Sequence, residues 1–306
     1  MIYLTAGEEY NDIDAFACAV AYGYFLTQKG IENKIYLPGP LNASITENIK
    51  SWKINFETKI TVEKEDKFVV VDVSEPKHIA RAATEQSIIE IFDHRYGFQE
   101  YWQKLLGEKA KIEFVGSCAT LIWEEYKKSG VSIDALNANL LAIAIVSNTL
   151  DFKSSVNTER DIIAYKELES FMDLPKNWKE KYFNDQVSFV QNNPEKAIKE
   201  DTKIILDKIA FGQVEIWNGK QFVQDNLPIA KKVLQSFGYP DWMLSVPSIS
   251  EGINYIYTES PGLKDLLNQT IGVKFEGDIG KTDKLWLRKE IRAKLLKLQE
   301  TSTASI

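Results

Sequence analysis

Through the first half of the chain, short runs dense in Ile, Val, Phe and Tyr alternate with longer stretches whose apolar positions recur at helical spacing. Residues 2–5, 33–37, 67–72, 87–92 and 111–115 read as strands. Residues 14–28, closed by Gly30, and 118–128, closed by Gly130, read as helices, since glycine most readily takes the left-handed turn that ends one. Two longer helical patterns follow at 134–147 and 158–172, the second opening on Thr158-Glu159-Arg160-Asp161, which suits a helix N-terminus. Strands separated by helices cannot be hairpin partners. They are expected to lie parallel, in a sheet wound on both faces.

The pattern changes after a polar stretch that runs from Asn184 to Pro194. Beyond it, strand-like runs at 212–217, 242–247, 253–258 and 273–276 surround helical patterns near 228–237 and 262–270. The expected organisation is therefore α/β throughout. A doubly wound, mainly parallel N-terminal domain takes residues 1–187, a linker takes 188–194, and a smaller α/β C-terminal domain takes 195–306.

Composition narrows the function. The 306 residues are 44% hydrophobic and 26% charged, the balance of a globular protein with enough chain for two cores. A net charge of −7 without a long basic block argues against nucleic acid as the main partner, because duplex binding needs clustered Lys and Arg. The most apolar stretch, residues 140–146, is far shorter than the roughly 20 residues that cross a bilayer. The first residues do not read as a signal peptide, and Cys18 and Cys118 sit in apolar patterns that suit reduced core thiols. A cytoplasmic location with no membrane partner is expected.

Candidate chemistry gathers where an open parallel sheet binds ligands, at the carboxyl ends of its strands. Asp12 and Asp14 follow the first strand, Asp72 ends the third, Asp93 and His94 end the fourth, and Asn148 closes the apolar pattern 140–146. One aspartate in such a place is usually a cap or a turn. Three successive motifs admit a second account, because converging carboxylates repel one another unless cations lie between them. On spacing alone the two accounts stand level.

The motifs also resemble, in order, those of the DHH phosphoesterase superfamily. Gly7 to Asp14 matches its opening Gly-His-x-Asn-Pro-Asp-x-Asp, Asp72 its strand-closing Asp, and Asp93-His94-Arg95 the Asp-His-His of its name. Gly116-Ser117-Cys118-Ala119-Thr120 matches Gly-Ser-x-Ala-Thr, and Ser147-Asn148-Thr149-Leu150-Asp151-Phe152-Lys153-Ser154 matches Ser-Asp-Thr-Leu-x-Phe-Lys-Ser, the most specific of the series. In the second domain, Asp201-Thr202-Lys203 and Leu287-Arg288-Lys289 are similar to the Asp-x-Lys and Ser-Arg-Lys motifs of the manganese-dependent (family II) inorganic pyrophosphatase and exopolyphosphatase branch. Nuclease branches carry Gly-Gly-Gly-His in that domain. This chain has no Gly-Gly pair, and no histidine after His94.

The resemblance implies an active site in the cleft between two domains and a pair of Mn²⁺ or Mg²⁺ ions. Carried over by position, one ion takes Glu8, Asp12 and Asp72, and the other Asp14, Asp72, His94 and Asn148. Asp72 would bridge them, with Asp14, Asp93 and Arg95 completing the catalytic group and Arg95, Lys203, Arg288 and Lys289 binding the substrate. Three positions depart from the family: Glu8 and Arg95 each replace a histidine, and Asn148 replaces an aspartate. Glu8 and Asn148 still offer oxygen, which suits hard cations, whereas Arg95 stays charged and cannot serve as an acid near neutral pH. The implied activity is hydrolysis of pyrophosphate by a hydroxide bridging two metals. An exopolyphosphatase acting on short polyphosphate, another small-molecule phosphoesterase, and a catalytically degenerate phosphate-binding module are the alternatives. A homodimer is left open.

Overall fold

The computed structural model describes residues 1–303. It divides into two compact units, the first made of Met1–Phe152 and Val156–Lys179, the second of Lys153–Ser155 and the described residues from Glu180 onward.

In the first unit β1 (Ile2–Thr5), β2 (Asn33–Ile35), β3 (Lys67–Val71), β4 (Ile88–Asp93) and β5 (Ala110–Ile112) form one sheet in the order β2-β1-β3-β4-β5. Every pairing is parallel, with Leu4 opposite Val69 and Val71 opposite Phe92. The helices are α1 (Ile13–Gln28), α2 (Glu47–Lys50), α3 (Gln99–Leu106), α4 (Cys118–Ser129), α5 (Ala135–Asn148) and α6 (Glu159–Leu168). α1 and α5 are buried almost all round, which is why their sequences are apolar on every side rather than striped. Phe92 packs on Tyr22 of α1 at 4.8 Å, while its neighbour Ile91 faces the opposite side with Tyr3, Phe68, Val70 and Trp102 of α3. Both faces are thus covered, as the alternation of strand and helix predicts.

The strand order reverses direction at β1, which lies between β2 and β3. Chains leaving the carboxyl ends of β1 and β3 turn away from each other there and open a crevice.

In the second unit β6 (Thr202–Ile205), β7 (Ile209–Gln213), β8 (Asp241–Ser248), β9 (Ile253–Tyr257), β10 (Lys274–Glu276) and β11 (Ile279–Lys281) form a mixed sheet, ordered β10-β11-β9-β8-β7-β6. Only β7 and β8 run parallel. The helices here are α7 (Trp178–Gln186), α8 (Ser188–Asn192), α9 (Pro194–Glu200), α10 (Gly219–Gln235), α11 (Pro261–Ile271) and α12 (Arg288–Thr303). α10 covers one face through Phe222, Val233 and Leu234, and α11 and α12 cover the other through Leu263, Leu267 and Ile291.

Two expectations shift. The polar stretch 188–194 is not irregular chain: it forms α8 and the Pro194 start of α9, inside the second unit. Its Asn and Gln residues are polar because they are exposed, while Val187 and Ile198 on either side anchor it in the core. Pro228, which suggests a helix start, sits inside α10, and the true start is Gly219, nine residues earlier and capped by Asn218. No helix among the described residues is long and apolar enough to cross a membrane.

Candidate active site

The loop after β1 delivers two aspartates to the crevice. Asp12 caps α1, its Oδ1 accepting the N–H groups of Asp14 and Ala15 at 3.1 and 3.0 Å. Asp14 lies in the first turn and is fully buried. Its Oδ1 accepts from Ser117 Oγ and Ala119 N, both at 2.9 Å, and from Cys18 Sγ at 3.4 Å. Its Oδ2 accepts from Cys118 N at 2.8 Å and Asn148 Nδ2 at 2.6 Å. Ser117 to Ala119 is the start of α4, where unpaired N–H groups and the helix dipole favour an anion. Burial still raises the Asp14 pKa above the carboxylate range, with the charge of Asp12 adding to it.

Asp72 follows β3 with φ at +55°, a left-handed conformation that aspartate tolerates better than most residues. Asp93, at the end of β4, accepts the N–H groups of His94 and Arg95 on one oxygen, at 2.8 and 3.3 Å. That turn brings both next side chains to Asp72. His94 Nε2 lies 3.3 Å from Asp72 Oδ1, and Arg95 Nη2 donates to both Asp72 oxygens at 3.3 Å. His94 Nδ1 donates to the Val115 carbonyl at 3.1 Å, which fixes the ring and leaves Nε2 for the carboxylates.

The electrostatics are those of crowded carboxylates. Burial, then the charges of Asp12 and Asp14, push Asp72 up to about 8. Burial works against a charged His94, but the hydrogen bond and charge of Asp72 outweigh it and lift the imidazole to about 9. Asp14, Asp72 and His94 present ligand atoms all within 4.8 Å of one another, and among the described residues they are the one such group of three. Two buried carboxylates and an oriented imidazole fit a hard divalent cation, which would relieve their mutual repulsion.

Asp12, Asp72, Asp93 and Arg95 line one cavity of about 330 Å³, with Tyr96 and His78 at its wall. Two expected ligands do not join. Glu8 turns to Arg81, accepting its backbone N–H at 2.9 Å with the guanidinium Nε at 3.6 Å. Asn148 presents an N–H donor to Asp14 rather than an oxygen to a metal. Turned the other way, its oxygen would face a carboxylate.

Supporting residues that the strand-end reading passes over stand behind Asp14. Asp161 accepts from Gly116 N at 2.8 Å and Thr120 Oγ1 at 2.6 Å while forming the capping box of α6 with Thr158, so it holds the segment that carries Ser117. Their signal is the Gly-Ser-x-Ala-Thr motif itself. After Asn148, residues Leu150, Asp151 and Phe152 run consecutively with φ of 49°, 53° and 64°. Non-glycine residues in that region cost about 1–2 kcal/mol each.

In the second unit Lys203 is exposed on β6 and Lys289 on the first turn of α12. Arg288 is tied within its own unit: Nη2 meets Asp201 Oδ1 at 2.8 Å, and the guanidinium lies over the Phe211 ring at 6.0 Å.

No family model matches the chain. In sequence it is 27% identical over 175 residues to a curated manganese-dependent inorganic pyrophosphatase of Lactiplantibacillus plantarum, covering 56% of this chain and 55% of the relative. A counterpart named alike in Bacillus mycoides is 30% identical over 168 residues, covering 54% and 53%. The chain is similar in sequence to the manganese-dependent inorganic pyrophosphatases. It spans about half the length of the curated relatives it matches, so the likeness in sequence concerns that part alone. The fold extends further. A Methanococcus jannaschii structure described as a family II inorganic pyrophosphatase superposes with a TM-score of 0.59 at 22% identity, covering 97% of this chain and 99% of that one. An exopolyphosphatase-related protein from Bacteroides fragilis gives 0.52 at 12% identity, covering 98% and 92%. The chain therefore carries the α/β fold of these two structures over nearly its whole length.

Proposed function

We propose that this chain hydrolyses the phosphoanhydride bond of small polyphosphates, pyrophosphate first, with Mn²⁺ or Mg²⁺ held by Asp14, Asp72 and His94. The observation that supports it most is the convergence of those three with Arg95 at the β1/β3 crevice. An acidic crevice alone would repel pyrophosphate, so a cation is needed before such a substrate could enter. A divalent ion bound there supplies charge for the phosphate oxygens and acidifies water toward neutral pH.

The chain's own residues do the rest. Asp93 sets the turn that aims His94 and Arg95, and Val115 holds the imidazole in one tautomer. Only Nη2 of the half-exposed Arg95 is engaged by the described residues, so its other donors can grip phosphate oxygens. Asp12, with one oxygen committed to the start of α1, keeps the other for a water or a cation. Lys203 and Lys289 are proposed as further cations for the polyanion.

A phosphate-binding module without turnover is the second reading, and the Arg95–Asp72 contact favours it. Phosphate release from pyrophosphate, tripolyphosphate and nucleotides, measured with Mn²⁺ and with Mg²⁺, separates the two. No release from any substrate, with pyrophosphate still bound, would leave only the binding module.

A further inference from the structure

We infer that this chain holds a single divalent cation, at Asp14, Asp72 and His94, and that the Arg95 guanidinium takes the place beside Asp72 that a second cation would need. The inference rests on the metal-dependent reading above and departs from the paired ions that the motif series implies.

Three observations carry it. First, Arg95 Nη2 sits equidistant from the two Asp72 oxygens, at 3.3 Å from each, in the position of a bound cation rather than of a passing surface contact. Asp72 Oδ1 also faces His94, so a metal joining His94 and Asp14 would use this oxygen and leave the guanidinium on the other. Second, a second ion would be short of ligands. Glu8 is bonded to Arg81, and Asp12, with Oδ1 bonded to two N–H groups of α1, has only Oδ2 to offer.

Third, the guanidinium already offsets part of the charge. Asp12, Asp14, Asp72 and Asp93 carry four negative charges, of which one divalent cation and the guanidinium offset three while His94 coordinates as the neutral imidazole. A second divalent ion would set two cations and the guanidinium against the one Asp72 carboxylate, with one positive charge in excess in a largely buried site before any substrate arrives. Asn148 acts in the same direction, since its amide adds a donor rather than a charge beside Asp14.

The test is the metal content of the full-length protein, read without turnover. Titration with Mn²⁺ by calorimetry is expected to give one ion per chain, and electron paramagnetic resonance a signal free of exchange coupling. Two ions about 3.5–4 Å apart would instead give a coupled pair. Arg95→Gln removes the charge and keeps a polar side chain, and it is expected to raise uptake from one ion to two. Arg95→Lys keeps the charge and is expected to stay at one, with circular dichroism confirming that both variants fold. Two coupled ions in the unaltered chain would overturn the inference while leaving the metal-dependent reading intact. A glutamine variant that still takes one ion would overturn the role given to Arg95. No Mn²⁺ uptake by the unaltered chain would remove the metal-dependent reading itself, and this inference with it.

Discussion

Asn148, the last residue of α5, donates its amide N–H to Asp14 Oδ2 at 2.6 Å, on the carboxylate that the start of α4 also cradles. The amide therefore stabilises Asp14 as an anion in the absence of metal. Asn148→Asp would replace that donor by a second carboxylate in contact with the first. The metal-free protein should lose about 1.5–3 kcal/mol, the value of a hydrogen bond to a charged group. Added Mn²⁺ should recover more stability in the variant than in the parent. Thermal melts in EDTA and in Mn²⁺ check this, and an unchanged melting temperature in EDTA would show that the contact carries no weight.

The pH dependence of the metal-free chain has a definite sign. Asp72 and His94 both have folded-state pKa values above their ordinary ones, so the folded pair binds more protons than the unfolded chain does. Stability should accordingly fall as pH rises through the interval between the ordinary and the raised values. In EDTA the protein is expected to melt lower at about pH 8.5 than at about pH 6. Mn²⁺ must displace those protons, so its stabilising effect should be larger at the higher pH. Equal melting temperatures at both pH values would contradict the raised pair.

Much of this architecture is legible in the residues. β1, β3 and β4 declare themselves through Tyr3-Leu4, Phe68 to Val71 and Ile88 to Phe92, and the carboxylates that end them fall at the crevice because the sheet is parallel. What the pattern cannot convey is direction. Glu8 and Asn148 occupy motif positions, yet which partners lie beside them depends on Arg81 and Asp14, contacts made only when the chain has folded. The second unit is harder to read for a different reason. β6 and β11 are short and half polar, and Pro228 carries a start signal into a helix that packing on Val246 and Leu244 sustains past it.

Gly116 is predicted to tolerate no side chain. A Cβ there would lie 2.6 Å from Thr149 Cγ2 and 2.9 Å from Asp161 Oδ2, both in buried residues that cannot move away. Gly116→Ala should cost about 1–3 kcal/mol, the usual penalty of overpacking. It should also loosen the Ser117–Ala119 cradle of Asp14. Urea denaturation gives the first quantity and Mn²⁺ affinity the second. A variant as stable as the parent would mean that the Thr149 contact is relieved by a backbone shift.

The basic residues of the second unit should separate into two kinds. Arg288 is held by Asp201 and lies over Phe211, so its main work is to fasten the start of α12 to the sheet. Lys203 and Lys289 are exposed and are free to meet a polyanion. Arg288→Ala is therefore expected to lower the melting temperature, by the equivalent of about 1 kcal/mol, before it alters metal uptake. Lys203→Ala and Lys289→Ala should leave melting temperature and Mn²⁺ affinity unchanged while lowering kcat/KM for pyrophosphate roughly ten- to a hundredfold. That loss corresponds to one charge-assisted hydrogen bond of about 1.5–3 kcal/mol in the transition state. A drop confined to KM would mean that the lysines bind substrate and transition state equally, whereas equal losses in kcat and kcat/KM would place their contact in the transition state. Should both lysine variants retain full kcat/KM, the second unit's cations would have no part in catalysis, and Arg95 with the bound ion would have to hold the polyanion alone.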